Sequence, residues 1–355
     1  MAKEKLHDMK QTYNSFQCRG IVSRTESQQF YKDKIGSNKD GISVNFGVKI
    51  NDKKEVYITL TGYPRKEVYY YKKGENGAKG TSKAVAWKDR KKSPGEGYSL
   101  IGVKISTGKD KDGNNINTVF TEYDAVSYLK ENLRDGDSVF INGKIEFRSW
   151  IGQNGQTVRR INLVPSQISY TKKPIDFEAD DYKEMCEFEN TLVFQSIDKE
   201  EDENGKTTGR FVLSGWSIGY NSVENVSFII DEEDAKVAGA IKKKMKTGNS
   251  IKTYGYVSVK NNIETADLED DGWGSTKTSP MERVNAPVIR EYVVYKVDGS
   301  TFDTETYSEK EIAEAIRKIK AAKTASENFG EKPNTNIDSD DWGSDDFTDD
   351  DSPWD

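Results

Sequence analysis

Cationic and aromatic residues are concentrated between residues 64 and 117 of the 355-residue sequence. Ten Lys or Arg and four Asp or Glu lie between residues 65 and 98, which leaves a net charge of +6 (ten minus four). The run Tyr69 to Tyr71 and Trp87 are interleaved with these charges. Cations bind phosphates and flat rings stack on bases, so this composition predicts contacts with a single-stranded nucleic acid. A solvated, mobile basic loop is the alternative interpretation.

The candidate contacts in this stretch are cations that suit phosphates and rings that suit bases. They are Arg65, Lys66, Tyr69, Tyr70, Tyr71, Lys72, Lys73, Trp87, Lys88, Arg90, Lys91 and Lys92. Five glycines between residues 74 and 97 loosen the backbone around them. The stretch therefore has the pattern of an insertion that carries a binding site.

Further candidate contacts lie on predicted strands outside the insertion. Alternation turns Val56, Ile58 and Leu60 inward and leaves an outer face for other side chains. Rings on that face either stack on bases or pack under a loop. The outer-face candidates are Tyr57, Tyr63, Lys144, Arg148 and Trp150, with Arg159 and Arg160 alongside on the returning strand.

Residues that perform bond chemistry are few in this sequence. His7 is the single histidine, and the two cysteines, Cys18 and Cys186, do not form a CxxC pair. A His/Cys zinc site and a His-based triad are thereby excluded. No carboxylates in the segments expected to be ordered show a catalytic spacing. The sequence predicts no enzyme, metal or cofactor, and a metal-dependent nuclease is kept as the alternative because Asp and Glu are abundant.

Cysteine usage and hydropathy predict a soluble cytoplasmic protein. Two distant cysteines fit a reducing compartment and buried thiols. No apolar run approaches the length of a membrane span, and the first residues lack a signal-peptide core, so we expect no membrane partner.

Charge is divided unevenly along the chain. Residues 1–175 hold 32 Lys or Arg and 19 Asp or Glu, a net of +13 (32 minus 19), whereas residues 176–355 hold 21 and 41, a net of −20 (21 minus 41). A basic first half and an acidic second half predict that a polyanion site lies in residues 1–175.

Hydrophobic periodicity predicts mainly β structure. Strands are expected at 14–24, 42–50, around 56–60, 138–150 and 157–164, with a short helix at 123–133 before the fourth strand. Asn154-Gly155 is a hairpin signal between the last two strands.

The second half repeats this order of elements. Strands are expected at 227–230, 250–260 and 288–297, with a helix at 232–246. The pattern Gly136-x-Ser138-Val139 recurs as Gly248-x-Ser250-Ile251, an offset of 112 residues. Ser308 and Glu311 form a capping box that predicts a last helix, whose apolar stripe should pack on the second half.

Three strands, a helix before the fourth strand and a hairpin to the fifth are the order of the oligonucleotide-binding (OB) fold. The predicted fold class is mainly β, with two tandem OB-fold barrels, a C-terminal helix and a disordered acidic tail. The expected segments are an N-terminal arm (1–13), a basic OB domain (14–175) with the insertion at 64–117, an acidic OB domain (186–300), a helix (308–325) and the tail (326–355).

The tail is acidic and carries three large aromatic residues. Residues 338–355 include nine Asp and no Lys or Arg, a composition that predicts disorder. The sequence Asp349-Asp350-Asp351-Ser352-Pro353-Trp354 resembles the acidic tip of bacterial and phage single-stranded DNA-binding proteins, which typically ends Asp-Asp-Asp-Ile-Pro-Phe. It departs from that tip in its Ser, its Trp and the additional Asp355. A simple solubilising tail is the other interpretation.

The duplicated OB pattern, the basic aromatic first half and this tail together resemble a phage-type single-stranded DNA-binding protein. The resemblance implies non-catalytic coating of single strands in DNA replication, recombination and repair, in the host bacterial cytoplasm. It also implies that the tail recruits replication and recombination proteins and competes with DNA. The predicted partner-binding residues are Trp342, Phe347, Asp349, Asp350, Asp351 and Trp354. RNA as the polymer and a protein-only adaptor are the alternatives left open.

Overall fold

The computed structural model describes residues 5–36, 39–74, 79–151, 157–202, 204–261 and 288–328. These residues fold mainly into β-strands, with three α-helices among them. None of these helices is long and apolar enough to cross a membrane. The mainly β fold class predicted from periodicity is confirmed.

The N-terminal half contributes eleven of the described strands and helix α1 (Glu122–Asn132). Its strands are β1 (Asn14–Ser23), β2 (Tyr31–Ile35), β3 (Gly41–Lys49), β4 (Glu55–Gly62), β5 (Glu67–Lys72), β6 (Thr81–Ala86), β7 (Ser99–Leu100), β8 (Val103–Lys109), β9 (Asn115–Phe120), β10 (Ser138–Ile151) and β11 (Thr157–Tyr170).

Five of these strands close into a ring of hydrogen-bonded pairs. β1 pairs antiparallel with β3 and β10, β3 with β4, and β10 with β11. The ring closes because β11 runs parallel to β4, where Leu163 lies opposite Ile58. Alternate side chains of each strand point inward, so Val44, Phe46 and Ile58 are buried.

Helix α1 precedes the fourth strand of this ring, as predicted. It begins after Thr121, whose Oγ1 accepts a hydrogen bond from the Asp124 backbone N–H at 3.1 Å. Its apolar face buries Ala125, Val126 and Leu129 in the core. The chain then turns through Gly136, whose φ of +91° suits glycine, and enters β10.

The stretch 64–117 forms two separate units. β5 lies between β6 and β7 in a small three-stranded sheet that does not pair with the ring. β8 and β9 form a hairpin, and β8 adds to the outer part of β11 in parallel, where Ile105 pairs with Ile168. The small sheet follows β4 directly in the chain and precedes the β8–β9 hairpin, which leads to helix α1.

The C-terminal half repeats the ring. Its strands are β12 (Met185–Glu201), β13 (Thr207–Ile218), β14 (Val223–Ile230), β15 (Ser250–Asn261) and β16 (Val288–Asp303), with helix α2 (Ala235–Lys244) before β15. β12 pairs with β13 and β15, β13 with β14, and β15 with β16. A parallel pair between β14 and β16 closes the ring at Ile229 and Val293.

Helix α3 (Glu309–Asn328) packs on the second ring, as its apolar stripe predicted. The Glu311 backbone N–H donates to Ser308 Oγ at 3.3 Å, which confirms the Ser308 half of the predicted capping box. The Glu311 carboxylate accepts from the Ser308 hydroxyl at 2.7 Å, whereas a full capping box has it accept from the Ser308 backbone N–H. Ile312 is buried in a cluster with Trp216 and Tyr307.

The two rings are joined by their first strands. β1 and β12 pair antiparallel, with Phe16 opposite Phe188 and Cys18 opposite Cys186. Both cysteines are buried and free. Phe147 of β10 meets Phe228 of β14 edge to face at a centroid distance of 6.1 Å, so the cores of the rings form one continuous cluster.

Candidate nucleic-acid interface

Strand β5 turns two of its three tyrosines toward solvent. Tyr69 and Tyr71 are 48% and 43% exposed, because successive side chains of a strand point to opposite faces. Their partners on β6 are Ala84 and Ser82, whose small side chains do not cover the rings. These two rings form an open aromatic surface.

Tyr70 lies on the other face of β5 and is buried, with 5% of its surface exposed. Its hydroxyl donates to the Arg90 carbonyl oxygen at 2.7 Å. The prediction that all three tyrosines stack on bases is therefore wrong for Tyr70 in this conformation. Tyr70 and Val68 instead form the buried side of the small sheet.

Arg90 is half-buried in an ion pair, which corrects its prediction as a phosphate contact. Its Nε and Nη2 donate to the two carboxylate oxygens of Asp124, at 2.8 and 2.9 Å. Burial opposes ionisation of Asp124, but the hydrogen bonds from Arg90 and Thr121 outweigh it and lower the pKa of this carboxyl. The two-pronged ion pair fixes the small sheet to the start of helix α1.

Trp87 lies at the same junction. It begins a short 3₁₀ turn, Trp87–Asp89, and its ring meets the Tyr123 ring edge to face at 5.9 Å. The Arg90 guanidinium lies 4.4 Å from the Trp87 centroid. The half-buried ring therefore packs between the small sheet and α1 and has less open surface than Tyr69 or Tyr71.

Several predicted cations lie on the same stretch of chain as the open tyrosines. Lys66, Lys73, Lys88 and Lys91 are exposed and make no ion pair within the part of the chain that the structure describes. Lys72 is half-buried beside Gly97. Exposed ammonium groups without carboxylate partners suit the phosphates of a flexible strand.

Two other predicted cations have acidic neighbours. Arg65 lies 3.4 Å from Glu122, and Lys92 lies 3.0 Å from Asp89, with 57% and 80% of the cationic side chains exposed. Such exposed pairs are weak, so each cation can exchange its carboxylate for a phosphate at little cost.

Tyr57 and Tyr63 are half-buried on the β4 side of the ring. The Tyr63 ring packs on the backbone of Gly41, where an added Cβ would lie 2.2 Å from Tyr63 Cε1. Tyr57 lies beneath two guanidinium groups, with Arg24 at 5.2 Å and Arg290 at 4.4 Å from its centroid. Arg290 belongs to β16 of the other half and was not predicted, since an isolated cation in an acidic half gives no local signal.

The remaining predicted contacts lie on β10 and β11. Lys144 and Arg148 are 2.5 and 3.0 Å from Glu146. Burial opposes ionisation of Glu146, but these two cations outweigh it and lower the pKa of the carboxyl. Trp150 is 42% exposed near the end of β10, where Arg159 is exposed and Arg160 half-buried on β11. β10 and β11 belong to the large sheet, with which the small sheet does not pair.

In the second half, an arginine of β13 lies among carboxylates. Arg210 is enclosed by Glu200, Asp231 and Glu291, at 3.3, 3.0 and 2.7 Å. The Tyr256 hydroxyl donates to Asp231, and burial together with that carboxylate raises the pKa of Tyr256 to about 12. Three carboxylates pair with the Arg210 guanidinium, so it is unsuited to binding a phosphate.

The tail residues predicted to bind partners lie outside the described residues. They are Trp342, Phe347, Asp349, Asp350, Asp351 and Trp354. Within the described residues no group of His, Cys, Asp and Glu is arranged to hold a metal ion.

Comparison with known proteins gives one family and distant structural neighbours. A search of curated proteins found no match. A deletion mutant of the single-stranded DNA-binding protein from Thermus aquaticus aligns over 81% of this chain and 94% of its own, at 8% identity and a TM-score of 0.37. The wild-type protein aligns over 81% and 93%, at 8% identity and a TM-score of 0.36. The YorF family model, in contrast, matches residues 12–332, most of the sequence, and the chain therefore belongs to the YorF family.

Proposed function

We propose that the chain binds single-stranded DNA without sequence preference. Bases stack on Tyr69 and Tyr71, and phosphates pair with the lysines around them. The observation that carries this proposal is the small sheet, which holds two open tyrosine side chains on a stretch where the four exposed lysines named above make no ion pair among the described residues. Stacking uses the π-face that every base has, so the site does not select a sequence.

The two closed rings of β-strands support the further proposal that the chain contains two OB-fold barrels, at residues 14–175 and 186–300. Each ring has three strands, a helix before the fourth strand and a hairpin to the fifth, which is the OB order. An OB site of this kind covers roughly 4–16 nucleotides. The first barrel carries the strand-binding surface, since Arg210 of the second is enclosed by carboxylates.

Binding of this kind needs no catalytic group, so the proposed role is to coat and protect single strands in replication, recombination and repair. The bacterial cytoplasm is the proposed location. Residues 338–355 are proposed to compete with DNA for the basic surface and to recruit replication and recombination proteins. The nine Asp of this segment, on a chain tether, present a high local concentration of negative charge.

Fluorescence anisotropy with a labelled 30-nucleotide strand tests the function directly. We expect binding that weakens steeply with salt, and no cleavage of the strand with magnesium. Replacing Lys66, Lys73, Lys88 and Lys91 with Ala should flatten the log–log salt slope by about 0.7 for each phosphate that is no longer neutralised. A matched control replaces four exposed lysines of the second half with Ala: Lys242, Lys243, Lys244 and Lys246.

Each alternative function gives a different result in the same experiment. A nuclease would shorten the strand when magnesium is added, and a protein-only adaptor would leave the anisotropy unchanged. An RNA-binding protein would prefer the RNA strand of the same sequence. Equal slopes for the two quadruple variants would mean that the small sheet is not the site.

Deletion of residues 338–355 tests the proposed role of the tail. Affinity for the strand should rise at low salt and stay the same at high salt, because the contacts of an exposed polyanion are screened. The deletion should also abolish pull-down of replication proteins. Unchanged affinity over the whole salt range would leave no role for the tail in competition.

A further inference from the structure

The second half reaches the nucleic-acid face of the first half through one hairpin. β15 approaches β4, the strand that carries Tyr57. In this hairpin Arg290 of β16 pairs with Val259 of β15. The exposed Arg290 side chain extends to the first half, and its guanidinium lies 4.4 Å from the Tyr57 centroid. Tyr57 and Arg290 are 233 positions apart (290 minus 57), so only the fold brings them together.

The two arginines at Tyr57 differ in their other partners. Arg24 Nε donates to Glu55 Oε2 at 2.7 Å, so a carboxylate already offsets its charge. Arg290 makes no ion pair within the described residues. A guanidinium that lies on an aromatic ring still has N–H donors around its edge, and these suit the oxygens of a phosphate. Arg290 is therefore the available cation at this ring.

We infer that Arg290 of the second half binds a backbone phosphate of a strand that crosses β4, so the nucleic-acid site is composite. The inference rests on the proposed function. The inference gives the acidic second half a direct part in binding. The division of charge along the sequence, in contrast, predicted a site within residues 1–175. A phosphate beside Tyr57 gains the charge of Arg290 without the cost of breaking an ion pair.

The reverse contact does not create a second site of this kind. The hairpin of the first half reaches β14, where Ser149 Oγ donates to Glu224 Oε2 at 2.5 Å. A carboxylate at this position repels phosphate. The two crossings join the halves in a similar way, but they present different side chains: Arg290 lies over Tyr57, whereas Ser149 meets Glu224.

The test compares three variants of the full chain in the anisotropy experiment: R290A, R290K and the control K296A. Lys296 is also an exposed cation of β16, but it lies over Tyr254 of its own half, 5.4 Å from the ring centroid. R290A should weaken binding roughly tenfold at low salt, the size of one charge-assisted hydrogen bond. Its log–log salt slope should fall by about 0.7, and R290K should keep the slope. K296A should bind like the unmodified chain.

The outcomes separate this inference from the function on which it rests. If the unmodified chain binds no strand, the proposed function fails. If the chain binds and R290A matches K296A, the composite site is wrong and the function stands. A loss of affinity in R290A with an unchanged slope would mean that Arg290 only packs on Tyr57, which also overturns the phosphate contact. Equal unfolding temperatures for R290A and K296A establish that both fold.

Discussion

Neighbouring tyrosines of β5 have different roles because a strand turns successive side chains to opposite faces. Tyr69 and Tyr71 present open rings, whereas Tyr70 is buried and bonded to the Arg90 carbonyl. Burial raises the pKa of Tyr70 above the ordinary tyrosine value, which already lies well above physiological pH, and the hydroxyl therefore remains a donor. One residue position therefore separates an exposed ring from a buried, structural one.

Replacing Tyr69 and Tyr71 together with Ala should weaken binding of single-stranded DNA by about tenfold or more for each base that is no longer stacked. The salt slope should stay the same, because neither ring neutralises a phosphate. Anisotropy titrations at several salt concentrations measure both quantities. The unfolding temperature should change little, since both rings are exposed.

Tyr220 provides a matched control for this pair of substitutions. It is 53% exposed in the second half, away from the small sheet, and Tyr220→Ala should bind DNA normally. Tyr70→Phe removes only the hydroxyl and should cost stability of about 1 kcal/mol without loss of stacking. Full affinity in the Tyr69 and Tyr71 double variant would place the base-stacking surface elsewhere.

Composition identified a stretch of chain that presents exposed rings and cations, but not the burial of every residue in it. Charge density and aromatic content predicted the small sheet as a candidate site, and Tyr69, Tyr71 and the exposed lysines have the accessibility that this requires. Tyr70 was misassigned because β5 was not predicted as a strand. Arg90 was misassigned because its partner, Asp124, lies 34 positions away and is brought close only by the fold.

At the scale of elements, prediction succeeded where one face of the element is buried. β1, β3, β4, β10 and α1 have regular apolar periods, and their predicted bounds lie within a residue or two of those observed. The strands of the small sheet were missed because they are short and β6 has no buried residue to set an alternation. β3 also departs from the expected one-sided pattern, since the chain around Phe30 covers its outer face.

The N-terminal arm is an element without regular secondary structure that docks on the second half. The Thr12 backbone N–H donates to the Ile218 carbonyl at 2.9 Å, and the Leu6 N–H donates to Asn221 Oδ1 at 3.0 Å. His7 is buried in this contact, with 8% of its surface exposed. Burial and the nearby charge of Lys5 lower the pKa of His7. They outweigh the hydrogen bond with the Ser222 backbone and the charge of Asp8, which both raise it.

Acidification should therefore release the arm. Above the ordinary histidine pKa of about 6.5 His7 is neutral both docked and free, so docking is complete. Below that pH, His7 binds a proton in the free arm but stays neutral in the docked arm, where its pKa is lower. Docking therefore weakens as the pH falls from the ordinary pKa to the pKa of the docked state. Hydrogen exchange at residues 5–13 should be slow at pH 7.5 and faster at pH 5.5, after correction for intrinsic rates.

His7→Phe separates this effect from other titrations, because its ring is neutral at every pH. Exchange in the arm of this variant should lose the acid dependence. Asp8→Asn is the control that keeps the imidazole: the acid dependence should remain and move slightly to lower pH, because the charge of the 97% exposed Asp8 raises the pKa of His7. An acid response that persists in His7→Phe would assign the pH dependence to another group.

At the scale of the whole molecule, the two halves differ in charge but share one core. The charge split was readable from the sequence, as was the repeated order of elements. The way the halves join was not readable, because it depends on β1 pairing with β12 and on Phe147 reaching Phe228. These contacts connect residues more than 80 positions apart, so no local pattern reports them.

The shared core predicts that both halves unfold in a single transition. Calorimetry should give a van't Hoff enthalpy equal to the calorimetric enthalpy, the signature of a two-state protein. Phe147→Ala removes a half-buried ring from the junction and should destabilise the chain by up to about 3 kcal/mol, the lower end for a core phenylalanine. Because the ring touches Phe228, itself stacked on Phe188 at 5.5 Å, the whole transition should move to lower temperature.

Phe302→Ala, at a site 39% exposed on β16, should leave the transition nearly unchanged. Two resolved transitions, of which Phe147→Ala shifts only one, would mean that the rings are independent units and that the β1–β12 pair does not couple them.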